Sequence, residues 1–130
     1  MGFFRRQNIT EKSLAEKYRL DEHVVWFIRH AIKSLVHLEV FIHFYRNRSS
    51  IEAPGEIARK IGADKLEVYR AIKDLQKHDI LKSLDDEDSA FNYAPAENLK
   101  NNIELFIQAH TDDDLRRRIL SLVMEISGNE

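Results

Sequence analysis

Residues 57–82 read Ile57-Ala58-Arg59-Lys60-Ile61-Gly62-Ala63-Asp64-Lys65-Leu66-Glu67-Val68-Tyr69-Arg70-Ala71-Ile72-Lys73-Asp74-Leu75-Gln76-Lys77-His78-Asp79-Ile80-Leu81-Lys82, and this stretch decides the fold. Gly62 ends a short helix in the left-handed conformation that tight turns want. A second helix begins behind Asp64. In it Val68, Ile72 and Leu75, spaced four and three apart, form one buried stripe. The helix stops near His78-Asp79, and the chain is extended through Ile80, Leu81 and Leu84. Asp85-Asp86-Glu87-Asp88-Ser89 form a hairpin tip, and Phe91-Asn92-Tyr93 alternates apolar and polar residues as a returning strand does. The expected plan is helix, tight turn, helix, hairpin.

Upstream, Pro54 suits the first position of the short helix, although Ala53 is a poor cap for it. Ile57, Ala58 and Ile61 face inward, and Ile51 adds a very short strand. Between Asp21 and Asn47 the apolar residues Val24, Phe27, Ile28, Ala31, Ile32, Leu35, Leu38, Phe41, Ile42 and Tyr45 keep helical spacing. No Gly or Pro interrupts them, so one long helix is possible. Ser34 can cap a second helix, and the stripe widens after it, which favours two. Residues 1–20 read as an arm with a short helix capped by Thr10, with Leu14 and Tyr18 on one face.

Downstream, Pro95 breaks the strand and a helix follows from about Ala96, facing inward with Leu99, Ile103, Phe106 and Ile107. Thr111 followed by Asp112-Asp113-Asp114 is a helix start, a hydroxyl cap with carboxylates at the positive end of the dipole. Leu115, Ile119, Leu122 and Ile126 then recur at helix-pairing spacing. The expected organisation is an arm over 1–20, a core domain over 21–95 and C-terminal helices over 96–130. By class it is mainly α, or α+β by strict count.

Bulk properties fit one soluble domain, with 43% apolar and 32% charged residues. The chain has no cysteine, which excludes disulfides, thiolate nucleophiles and cysteine-based metal centres. The first residues do not read as a secretory signal, and no segment is apolar enough to span a bilayer. The net charge of −2 supplies no global basic footprint, so any positive surface must be local.

Three segments, Glu56-Ile57-Ala58-Arg59-Lys60-Ile61-Gly62, Val68-Tyr69-Arg70-Ala71-Ile72-Lys73-Asp74-Leu75 and His78-Asp79-Ile80-Leu81-Lys82, carry a resemblance to winged helix-turn-helix transcriptional regulators of the MarR-like kind. It covers about residues 34–94. The usual exit from the second helix carries Gly where Asp79 stands, a substitution that Asp tolerates in left-handed turns. The resemblance implies a cytoplasmic regulator that binds double-stranded DNA as a homodimer, with its second helix in the major groove and its terminal helices pairing the copies.

The outward side chains of that helix follow this reading. Tyr69, Arg70 and Lys73 would meet the major groove, Arg70 reaching a guanine edge with two hydrogen bonds. Arg59, Lys60, Lys65 and Lys77 would hold phosphates. Leu115, Ile119, Leu122 and Ile126 would form the dimer seam, with Arg116, Arg117 and Arg118 beside it to pair across the dimer. The hairpin tip argues the other way, because Asp85, Asp86, Glu87 and Asp88 would repel phosphates. The alternative is a winged-helix protein-interaction module whose acidic hairpin takes a basic protein partner, such as a sigma factor or another regulator.

No metal, cofactor or catalytic site is expected. His23, His30 and His37 share a face only on one continuous helix, where neighbours are about 10.5 Å apart in rise, too far for chelation. No phosphate loop or nucleophile elbow is present.

Overall fold

The computed structural model describes residues 11–128. The expected arm before Glu11, and Thr10 as a cap, lie outside these residues. The elements in order are helix α1 over 11–18, α2 (Glu22–Ala31), α3 (Leu35–Arg46), strand β1 (Ile51–Glu52), α4 (Pro54–Ile61), α5 (Lys65–Lys77), β2 (Leu81–Ser83), β3 (Phe91–Tyr93), a 3-10 turn (Glu97–Leu99), α6 (Lys100–Thr111) and α7 (Asp113–Gly128). The described chain is mainly helical with one small antiparallel sheet.

It divides into two compact units, one spanning residues 34–98 and the other built from the residues on either side. The expected domain over 21–95 is therefore cut at Ser34, and α2 packs with the C-terminal helix α6. The cut is visible in the chemistry of Ser34. Its Oγ accepts from the His37 amide at 3.2 Å and caps α3, after Ile32 has closed α2 onto the Ile28 carbonyl at 2.8 Å. Two helices, not one, occupy residues 21–47.

In the unit of residues 34–98, α3 and α4 pack on α5, and the strands close one side in the order β1-β3-β2. Ile51 pairs with Asn92 and Glu52 with Phe91, while Leu81, Lys82 and Ser83 pair with Tyr93, Asn92 and Phe91. Phe41, Phe44, Ile57, Val68, Ile72, Leu75, Ile80 and Phe91 have no exposed surface. Each such large apolar side chain contributes about 1.5–3 kcal/mol through removal from water. Gly62 sits at φ 71° after α4, and Asp79 at φ 64° after α5, so both turns take the left-handed geometry that their positions demand. At the exit of α3, the Arg48 guanidinium lies 4.3 Å from the Tyr45 ring centre, and Tyr45 meets Tyr93 edge-on at 5.9 Å. These rings tie the end of α3 to the hairpin.

In the other unit, Asp21 caps α2 by accepting from the His23 amide at 2.7 Å. That amide is the first cause holding the Asp21 carboxyl below its ordinary range. Phe27 packs on Phe106 at 5.1 Å between ring centres. The end of α1 is fastened to α7, because Lys17 Nζ and the Tyr18 hydroxyl both donate to Glu125 Oε1, the lysine at 2.7 Å. The cap of α7 differs from expectation. Thr111 ends α6, its hydroxyl donating to the Gln108 carbonyl at 2.7 Å, and the Asp112 side chain accepts from the Leu115 amide at 2.8 Å instead. Thr111 is still inside α6, whereas Asp112 has the extended backbone that a cap needs, and its carboxylate is a charge-assisted acceptor at the helix's positive end.

Candidate nucleic-acid interface

The outer face of α5 exists because Asp64 starts the helix and one stripe is consumed by the core. Asp64 accepts from the Glu67 amide at 3.1 Å. Val68, Ala71, Ile72 and Leu75 are buried, which turns Lys65, Leu66, Glu67, Tyr69, Arg70 and Lys77 outward, all exposed.

The seven residues expected to meet DNA fall into two groups. Arg59, Lys65, Arg70 and Lys77 are exposed and form no ion pair among the described residues, and Tyr69 is exposed beside Arg70. Lys60 and Lys73 are committed elsewhere. Lys73 Nζ lies 2.5 Å from Asp88 Oδ2 in the hairpin tip. This bond raises the Lys73 ammonium and lowers the Asp88 carboxyl relative to their ordinary values. Lys60 Nζ donates to Glu52 Oε1 at 3.0 Å, while His43 Nε2 holds Glu52 Oε2 at 2.7 Å. Glu52 is the one buried charged residue among those described, at 4% exposure. Its two partners come from α3 and α4, so the cluster braces those helices on β1.

The acidic tip is also partly spent internally. Asp85 accepts from the Ser89 amide at 3.1 Å and from the Ser89 hydroxyl, and Ser83 Oγ donates to the Asp85 carbonyl at 2.6 Å. The Ser89 hydroxyl is the leading cause holding the Asp85 carboxyl below its ordinary value. With Asp88 on Lys73, Asp86 and Glu87 are the outward carboxylates of the tip left without a partner among the described residues. An open groove lined by Asp79, Lys82, Asp85, Asp86, Asp88 and Glu97 runs along this side of the hairpin.

A serine, a histidine and a carboxylate also meet. Ser34 Oγ is 2.7 Å from His37 Nδ1, and His37 Nε2 is 2.9 Å from Asp74 Oδ2. The ring nitrogens are reversed relative to a hydrolytic triad, and the hydroxyl already caps α3. The arrangement works as a strut from α3 to α5. His23 and His30 lie on α2, His23 against Asp21 at 3.0 Å and His30 stacked on Trp26 at 4.6 Å, so the three histidines share no helix face. Among the described residues no group of three or more His, Asp or Glu side chains is placed to hold a metal ion, and no helix is long and apolar enough to cross a membrane.

The expected dimer seam is largely used within the chain. Ile119 and Leu122 have no exposed surface, while Leu115 and Ile126 are only partly exposed. Ile119 and Leu122 are buried within the single chain, in the unit where α7 packs with α6. Arg116 and Arg118, expected to reach across a dimer, pair on their own helix with Asp113 at 2.6 Å and Asp114 at 2.5 Å.

Sequence reasoning passed over Leu66, the second residue of α5, which is 54% exposed. The signal was available, since Leu66 lies about 200° around the helix from Val68 and cannot join its stripe. The Glu52 cluster left no such local trace.

No protein family matches this chain, and neither a curated protein nor a solved structure matches it.

Proposed function

We propose that residues 34–98 form a winged helix and that the protein is a sequence-specific DNA-binding regulator. The connectivity supports the first part. Helix, strand, helix, helix, strand, strand, with the first strand closing the hairpin's sheet, is the order in which a winged helix is built. The second part is carried by one observation, the set of unpaired exposed cations Arg59, Lys65, Arg70 and Lys77 on α4 and α5. In a chain of net charge −2, they form the local positive surface that DNA requires. Arg70 reads a guanine edge, Tyr69 packs beside it, and the other three hold phosphates. Lys60 and Lys73 join them only when their carboxylate partners release them. A homodimer presenting two such helices would read a near-palindromic site about one DNA turn long per half-site spacing. A reducing cytoplasmic setting is part of the same reading.

The acidic side of the hairpin favours a second reading, in which Asp86, Glu87 and the groove beside them receive a basic protein segment.

Fluorescence anisotropy on duplexes enriched from a random library, titrated with salt, separates the two. Sequence-dependent affinity that falls steeply with salt supports the regulator and counts its phosphate contacts, at about 0.9 in slope per phosphate. Failure of every enriched duplex to bind better than random DNA at low salt would sink it.

A further inference from the structure

We propose that Leu66, with Tyr69 beside it, reads thymine by packing on the methyl group that this base projects into the major groove. The inference rests on the DNA-binding reading and specifies what that reading left open, the base preference next to the guanine met by Arg70.

Leu66 and Tyr69 are two of the few large apolar side chains left exposed, at 54% and 37%. They stand three residues apart on α5, and Arg70 stands four from Leu66, so the three share a face. Leu66 also belongs to the first turn of α5, and the N-terminal residues of a recognition helix are the ones that contact base edges. An open groove lies in front of it, lined by Pro54, Gly55, Arg59, Lys65, Tyr69 and Ser89.

The occupant must offer an apolar group to Leu66 and negative charge to its surroundings. Arg59 and Lys65 line the same groove, and Arg70 stands one turn further along α5, none of them paired with another described residue. Of the two carboxylates that line the groove, Asp64 is spent capping α5 and Glu56 stays exposed, with Glu67 next to Leu66 in the helix. Duplex DNA meets both demands. The thymine methyl is the apolar group that bases display in the major groove, and phosphates line that groove on both sides.

The test uses the full chain and a duplex enriched by its own binding, with each thymine replaced in turn by deoxyuridine, which lacks only the methyl. At one or two positions the wild type should lose about three- to fivefold in affinity, the worth of one buried methyl. Leu66→Ala should bind the thymine and uracil duplexes equally at those positions, while Arg70→Ala should keep the methyl effect. Leu66 is exposed, so its truncation leaves the core intact. An enriched duplex that loses nothing at any uracil, or losses that persist unchanged in Leu66→Ala, would overturn the inference. The DNA reading would survive either result, with Leu66 and Tyr69 then assigned to a protein surface. Failure to enrich any duplex would remove both.

Discussion

Lys73 on α5 and Asp88 in the hairpin tip are joined at 2.5 Å, so the hairpin's own carboxylate occupies a cation on the proposed DNA-reading helix. Asp88→Asn should release Lys73 to a phosphate. We expect tighter binding to all duplexes and a salt slope steeper by about 0.9, one additional phosphate contact. An unchanged slope in a salt titration would mean that Lys73 stays off the DNA in both proteins.

The same pair sets a pH window. The Asp88 carboxyl is held below its ordinary value by Lys73, so the tie is complete above the ordinary carboxylate range and is lost as pH falls through the depressed value. The Lys73 ammonium is raised, so it stays charged up to and beyond its ordinary range. The affinity gap between Asp88→Asn and wild type should therefore stay constant from about pH 5 to about pH 8 and close only below about pH 4. Anisotropy across that range checks it.

Arg70→Ala should cost about 1–3 kcal/mol on the preferred duplex and relax the preference at one base pair. Lys77→Ala should weaken every duplex alike and flatten the salt slope by about 0.9. The contrast between the two variants, measured on preferred and random DNA, separates base reading from phosphate holding.

The parts legible in the sequence are those whose causes are local. Gly62, Asp64 and the Val68–Ile72–Leu75 stripe each act within about two turns of helix, and the structure has them in those roles. Ser34 was readable for the same reason, since a cap and its amide are three residues apart. The fates of Lys60 and Lys73 were not, because their partners lie 8 and 15 residues away and arrive only when β1 and the hairpin are in place. Thr111 and Asp112 show a narrower limit. Two adjacent residues could both cap α7, and only the backbone at residue 112, extended at ψ 127°, selects between them. Ile119 and Leu122 carry a periodicity that an intrachain and an interchain seam would share, so spacing alone did not separate them.

Glu52→Ala should destabilise the protein by about 1–3 kcal/mol in urea denaturation, because it removes the acceptor shared by His43 and Lys60. His43 bears more of this cost than Lys60, since their side chains are 14% and 56% exposed and the lysine returns to water readily. Loss below about 0.5 kcal/mol would show that the cluster does not brace α3 and α4.

Ile119→Ala should lower stability by about 2–5 kcal/mol at any protein concentration, as truncation of a fully buried side chain does. A residue spent on a dimer seam would instead give a loss that depends on concentration. Denaturation at two concentrations, with sedimentation of the folded variant, distinguishes the cases.

The single tryptophan of this chain, Trp26, stacks on His30 in the unit that excludes residues 34–98. Its emission is therefore an optical tag for one unit, while the proposed DNA face belongs to the other and carries tyrosine alone. A denaturation followed at tryptophan wavelengths and a second followed by far-ultraviolet ellipticity would coincide if the halves melt as one body. They would part if each half keeps its own transition, and the protein carries the label for that comparison without any engineering.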